Sequence, residues 1–345
     1  MPVRFSPSVC CAAALFSFPA AAAAPTAEVL PDATQAVWRS ARGTALSVVD
    51  VAQNRMGGFD TNRFFSSPHA GAYRGRSGGG FDPERVTPWA VGLGGYVKQD
   101  ARERQSDGFD ASTYGVAAGI ENNTSENFKF GLGYAYTKTD ISTDSRDTDV
   151  KTHSTFLYGI YQPERAYISA VLVLGLSEYD ETTKTARLKS EYDATAFAAQ
   201  ISAGYDAPLT PEIAVRFTTV EQDNFTNASD LTVKTTAQNI WTAVGGLKLS
   251  GDYRLNAAPN VGVTPYLKAA ATYDFARTVV KGEIVSSGGT AYDVAGGQLD
   301  RFGAEAGAGV SFAFGVKAEI SLSYAGKFRK DYQDHAGTLD FKLNF

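Results

Sequence analysis

Phe128-Lys-Phe-Gly-Leu-Gly-Tyr-Ala-Tyr136 places an apolar or aromatic residue at every second position, with lysine, glycine or alanine between. A period of two sends successive side chains to opposite faces, so this stretch is a strand with one apolar face. The same period recurs on both sides of it. Towards the N terminus, Trp89, Val91, Leu93 and Val97 alternate with Ala90, Gly92, Gly94 and Lys98. Towards the C terminus, Trp241, Leu247 and Leu249 alternate with Thr242, Lys248 and Ser250, and Leu267, Ala269, Ala271 and Tyr273 with Lys268, Thr272 and Asp274. Phe302, Ala304 and Ala306 alternate with Glu305, and Ile320, Leu322 and Tyr324 with Glu319, Ser321 and Ser323. About twelve such segments fill 86–345, each on the order of ten to fifteen residues, the length of tilted membrane-crossing strands.

Polar clusters separate the segments, and long ones alternate with short ones. The long set is Asp100–Asp107, Asp140–Asp149, Asp180–Lys189, Gln222–Asp230 and Thr278–Gln298; the short set is Asn122–Asn127, Pro163–Arg165, Pro208–Pro211, Asn256–Asn260 and Phe314–Gly315. Long loops on one side and short turns on the other are the arrangement of a membrane barrel. A soluble β-sandwich alternates too. Two features favour the membrane. The apolar parity carries aromatics near strand ends, as at Tyr134, Tyr136, Tyr273 and Phe275, which fits interfacial girdles. The other parity carries Gly, Ser, Lys, Glu and Asp, which suits a wet or plugged lumen. A charge facing lipid at the midplane costs roughly 2–4 kcal/mol, and the apolar parity avoids it. That parity is therefore expected to face lipid throughout, and an open edge cannot lie in lipid, so the sheet must close. The expected fold is all-β: an antiparallel transmembrane β-barrel of about twelve strands.

Composition agrees. The 345 residues include 34 Gly, 17 Tyr and 21 Phe but only 2 Met and 2 Cys, a balance that suits strands and tight turns. A mean hydropathy of -0.19 excludes several membrane-spanning helices and is compatible with barrel strands, whose two faces average out. The net charge of -5 and the lack of a basic run argue against nucleic-acid binding.

Residues 1–23 read as a signal peptide: Arg4, an apolar stretch Val9–Phe18 too short to span a bilayer, and Ala-rich cleavage sites near Ala22–Ala24. Both cysteines, Cys10 and Cys11, fall inside it, so the mature chain is expected to have no disulfide or thiolate chemistry. Residues 24–85 form a short N-terminal segment. Within it Asp32 is a candidate N-cap, and Val37, Ala41, Ala45, Val48, Val49 and Ala52 recur at helical spacing over 32–56. Gly57–Arg85, with its Arg74–Gly80 run of Gly, Ser and Arg, reads as linker.

Residues 86–345 resemble the translocator domain of autotransporters, the type V secretion family of Gram-negative outer membranes. Trp89-Ala-Val-Gly-Leu-Gly-Gly-Tyr96 is similar to that family's first strand, Gly108–Gly119 to its second and Phe130–Tyr136 to its third. Tyr324-Ala-Gly-Lys-Phe328, with His335 and Leu339-Asp-Phe-Lys-Leu-Asn-Phe345, resembles its closing hairpin. The resemblance implies a twelve-stranded barrel with an N-terminal helix through the pore, where 32–56 would lie. Family members carry a large passenger between signal peptide and helix. Here only about ten residues separate the expected cleavage site from Asp32, so secretion of a large passenger is weakly supported.

The candidate functional residues follow from this frame. Leu339, Phe341, Leu343 and Phe345 share one face of the last strand and end the chain on an aromatic. They read as a signal for the barrel-assembly machinery, recognised by strand pairing after passage with periplasmic chaperones, and equally as ordinary residues facing outer-membrane lipids. Arg39, Arg42 and Arg55 on the helix are candidates to pair with lumen acids Glu121, Asp206, Glu305 and Glu319, since a cation in a narrow lumen needs a partner. The three histidines, His69, His153 and His335, make no catalytic or metal arrangement: His69 is in the linker, and Ser154 points away from His153. No enzyme activity, metal or cofactor is expected. Three functions stay open: an autotransporter-type anchor or translocator with a plugged lumen, a porin-like channel for small solutes, and an adhesion protein binding a surface ligand through its long loops.

Overall fold

The computed structural model describes residues 31–57, 86–101, 108–125, 127–185, 187–226, 230–255, 258–276, 281–286, 288–295, 299–315 and 318–343. The expected signal peptide, the Gly-rich linker, His69 and Phe345 lie outside them. One helix, α1 (Pro31–Gly57), precedes the strands. Its first residue is proline, which has no N–H to lose there, and its last is glycine, favoured at a helix end. Asp32 thus lies in the first turn rather than ahead of it.

The strands are β1 (Val86–Gln99), β2 (Phe109–Ser125), β3 (Phe128–Ser142), β4 (Arg146–Tyr161), β5 (Ala166–Thr183), β6 (Lys189–Tyr205), β7 (Leu209–Gln222), β8 (Phe225–Thr226), β9 (Thr232–Thr235), β10 (Gln238–Ser250), β11 (Tyr253–Leu255), β12 (Ala258–Asp274), β13 (Lys281–Val285), β14 (Ala291–Ala295), β15 (Phe302–Phe314), β16 (Ala318–Arg329) and β17 (Tyr332–Leu343). Twelve of them form one closed antiparallel wall: β1 to β7 in sequence, then β10, β12, β15, β16 and β17. The seam is made by β1 and β17, paired from Trp89↔Lys342 to Gln99↔Tyr332. The hydrogen-bonded row that starts at Val86, at one end of β1, passes Asn122, Phe130, Gly159, Ala170, Ile201, Val215, Ala243 and Tyr273 to reach Phe302 near the other end. The strands therefore tilt strongly to the barrel axis, as closure requires.

Short turns gather at the end where Val86 and Leu343 lie, and the longer connections at the other. We call these the turn end and the loop end. Two expected long loops are mostly strand. Asp140–Asp149 and Asp180–Lys189 carry β3, β4, β5 and β6 onward, leaving only Thr143–Ser145 and Lys184–Leu188 as connections. Most of the charged residues there face outward in alternation with buried ones such as Ile141, Val150 and Tyr179, while Arg146 and Glu181 point inward and pair with each other, so polar composition hid a continuing pleat. The connections after β7 and β12 are also structured: β8, β9, β13 and β14 form a separate four-stranded sheet at the loop end, with Val233 and Ile284 buried.

The outer face is apolar, with Leu132, Leu172, Leu174, Trp241, Leu267 and Phe341 exposed. No described helix is long and apolar enough to cross a membrane, so any crossing is by strands. β1 departs from the expected orientation. Trp89, Val91, Leu93 and Val97 are buried on the inside, and the outward positions are Pro88, Ala90, Gly92 and Gly94, followed by Tyr96 and Lys98. The reason is that α1 occupies the lumen, and the apolar face of β1 packs on it.

Candidate functional site: the helix-filled lumen

α1 is 27 residues long, about 40 Å at 1.5 Å per residue, enough to run the depth of the barrel. Its N-terminal half lies at the loop end, where Ala36 and Val37 join a buried cluster with Val97, Phe109, Ile141, Tyr179, Tyr192 and Tyr332. In its last turn Arg55 reaches Glu121, Asp340 and Lys129 at the turn end.

The helix has two working faces. Trp38, Ala41, Ala45, Val48, Val49, Ala52 and Met56 recur every three or four residues and pack on Trp89, Val91, Phe156, Tyr158, Val171 and Val173. This side of the lumen is a dry core. Its aromatic rings have room because small residues face them: a Cβ on Gly131 would collide with the Tyr158 ring, and one on Gly133 with the Phe156 ring. Burial of this face at roughly 25 cal/mol per Å2 of apolar surface holds the helix in place.

The opposite face is ionic. Arg42 lies 3.4 Å from Thr242 Oγ1 and 3.7 Å from Asp274. Asp50 accepts from Lys327 Nζ at 2.6 Å. Asn54 donates to Ser323 Oγ at 3.0 Å, and Gln53 to Ser202 Oγ at 3.4 Å. The wall carries its own pairs beside them: Arg216–Glu305 at 2.8 Å, Arg329–Asp274 at 2.7 Å and Lys268–Glu212 at 2.8 Å. Low dielectric makes each such charge depend on its partner. Among the described residues, spaces between helix and wall include one of about 10 Å3 beside Ser40, Gly43 and Ser47, and one of about 30 Å3 between Arg42, Arg216 and Lys327. These are spaces for a water molecule or two, not for a solute path.

At the turn end the ionic groups converge. Arg55 lies 2.9 Å from Glu121 and 2.8 Å from Asp340, with its guanidinium 5.3 Å from the Trp89 ring centre. Lys342 reaches Glu121 at 2.8 Å, and Tyr158 donates to the same carboxylate at 3.2 Å. Lys129 Nζ donates to the Arg55 carbonyl at 2.7 Å, satisfying an acceptor left open at the helix end.

The residues singled out in the sequence fall unevenly on this geometry. Arg55 and Glu121 meet. Arg42 meets Asp274, an acid not among the four named. Arg39 is buried on the helix. Glu305 pairs with the wall residue Arg216 rather than with a helix arginine, and Glu319 accepts from Ser321 on its own strand at 3.2 Å. Asp206 lies in the turn after β6 and accepts from Gln162 at 3.4 Å, away from the helix. Leu339, Phe341 and Leu343 are exposed on the outer face of β17. Sequence reading passed over Asp50, Lys129, Asp340 and Lys342. The last two were visible as the polar partners of the Leu339–Leu343 alternation. His153 is exposed and His335 half-buried, and they are hydrogen-bonded to Tyr134 and Tyr324 respectively. Ser154 is buried on the other face of β4.

A closed antiparallel barrel with a lipid-compatible exterior and a helix filling its lumen defines a class: the plugged outer-membrane barrels. Comparison with known proteins narrows it. The family model described as "Autotransporter beta-domain" matches residues 88–325, and the chain belongs to that family, whose barrels are outer-membrane proteins. Three solved structures are similar in fold. The translocator domain of the autotransporter NalP from Neisseria meningitidis is 16% identical, covering 88% of this chain and 98% of that one, with a TM-score of 0.62. The beta domain of the Bordetella autotransporter BrkA is 17% identical, covering 76% and 100%, at 0.56. The transport unit of AIDA-I from Escherichia coli is 14% identical, covering 75% and 90%, at 0.57. Comparison with curated proteins gives no match.

Proposed function

We propose that this barrel carries the chain ahead of Pro31 outward through its lumen, then keeps α1 as a plug that anchors that chain at the cell surface. The observation that carries this reading is the direction of the helix: its N-terminal half lies at the loop end and Arg55 at the turn end. A segment joined to Pro31 therefore leaves towards the side with the long loops, which in outer-membrane barrels is the exterior. Membership of the autotransporter family supports the same direction. Leu339, Phe341, Leu343 and Phe345 fit a pairing signal for the barrel-assembly machinery, reached with periplasmic chaperones, and the exposed outer face of β17 supports that role.

One experiment with two arms tests the reading. The refolded barrel should be nearly non-conducting, and removal of 31–57 should open it. An epitope placed just ahead of Pro31 should be removed by protease added to intact cells. Equal conductance with and without the helix, or an epitope protected on intact cells, would turn the reading towards an open channel.

A further inference from the structure

The ionic cluster at the turn end does more than hold the helix. Glu121 is on β2, Asp340 and Lys342 on β17, and β1 lies between those two strands. Lys342 is the register partner of Trp89, and Glu121 that of Thr87. Two links cross β1 on the lumen side. One is direct, Lys342 to Glu121 at 2.8 Å. The other runs through the helix, Glu121 to Arg55 to Asp340, at 2.9 and 2.8 Å. The side chain of Glu121 is fully buried and that of Arg55 5% exposed, so neither is replaced by water without cost.

On its outer side β1 is thinly clothed over the turn-end half, up to Tyr96. Its outward positions include Pro88, Ala90, Gly92 and Gly94, which offer little side chain to lipid or to neighbouring strands. Its grip is on the inside, through Trp89, Val91 and Leu93 on the helix and through Arg55 over Trp89. The place where the wall must close thus meets α1 through apolar contacts as well as through the Arg55 cluster.

We infer that Arg55 is the clasp of the barrel seam: it ties β2 to β17 across β1, so seating of the helix and closure of the first strand on the last are one coupled event. This goes beyond plugging. A plug needs contacts anywhere on the wall, whereas a clasp needs them on both sides of the seam. The Asp50–Lys327 pair supplies the contrast, since with Asp334 it links the helix to β16 and β17, on one side of β1 only.

Amide hydrogen exchange on the whole refolded barrel reads the difference strand by strand. Arg55→Ala should speed exchange at Trp89–Gln99 and Tyr332–Lys342 by about tenfold or more and leave β5 and β6 unchanged. Asp50→Asn, which loosens the helix on one side of β1 only, should not raise the seam above the rest of the wall. Should Arg55→Ala fail to fold, Asp340→Asn keeps the side-chain shape, breaks one arm of the clasp and is expected to give the same pattern more weakly. Exchange that stays unchanged at the seam, or rises equally all round the barrel, overturns the inference. Seam-selective exchange in Asp50→Asn would overturn it too, because any loosening of the plug would then suffice.

Discussion

On β4 and β5 the side chains that face the lumen include Phe156, Tyr158, Val171 and Val173; on β15 and β16, across the helix, they include Glu305, Glu319 and Lys327. Both sets line one lumen around one helix. The difference follows the helix, whose apolar stripe from Trp38 to Met56 meets the first set and whose Arg42 and Asp50 face the second. Pointing inward in a barrel therefore says nothing by itself about water. β5 shows it best: Leu172, Leu174 and Leu176 face out while Val171 and Val173 face in, because lipid covers one side and α1 the other. Half of this lumen behaves as a protein core and half as an ionic lattice, and the two should respond differently to substitution.

The core half should show the largest effect. Phe156 is buried against Trp89 and Tyr158, with ring centres 5.8 and 6.2 Å away. Phe156→Ala leaves a cavity that neither the wall nor the helix can collapse into, and should cost about 3–5 kcal/mol. Urea unfolding in micelles checks it, and the loss should be the same at low and high salt. A loss that shrinks as salt rises would mean that this half is ionic after all.

The lattice half should respond to pairing rather than volume. Arg216→Met leaves Glu305 without its 2.8 Å partner and should cost about 3 kcal/mol. Replacing both by Met should return the barrel to within about 1 kcal/mol of the parent, since two apolar side chains can fill the same space. Unfolding of both singles and the double completes the cycle. A double variant no better than Arg216→Met would show that the pair is not a unit and that Glu305 works with other cations.

The same contrast explains what could be read from the sequence. Strands such as β12, with lipid on one side and a polar lumen on the other, and β3, whose lumen side over most of its length is Gly, Ala and Thr, alternate cleanly, and their orientation was legible from parity alone. β1 was not, because its larger apolar residues Trp89, Val91 and Leu93 meet the helix, while the outer side beside them carries Pro88, Ala90, Gly92 and Gly94. Parity gives two faces but does not say which of two apolar surroundings each one meets. The ion pairs were legible as a need but not as partners. Arg55 and Glu121 were both visible, whereas Glu305 was assigned to the helix and belongs to Arg216. Partners across a tilted wall depend on register and tilt together, and no local spacing encodes those.

The smallest expected effect is at the boundary between the two halves and the solvent. Asp50 and Lys327 lie 2.6 Å apart, with side chains 21% and 11% exposed, so some water reaches the pair. Asp50→Asn keeps the shape and a hydrogen-bonding oxygen while removing the charge, and should cost about 1 kcal/mol. Lys327 retains Asp334 at 3.9 Å, which limits the loss. Because the apolar stripe still holds α1, the helix stays in the lumen most of the time. A change of about 1 kcal/mol multiplies the weight of a displaced helix by roughly five, which single-channel recording should register as more frequent brief openings of unchanged amplitude. Openings of reduced amplitude would instead describe a helix that shifts within the lumen without leaving it. Silence equal to the parent's would place all of the helix's hold in the apolar half and at the Arg55 cluster.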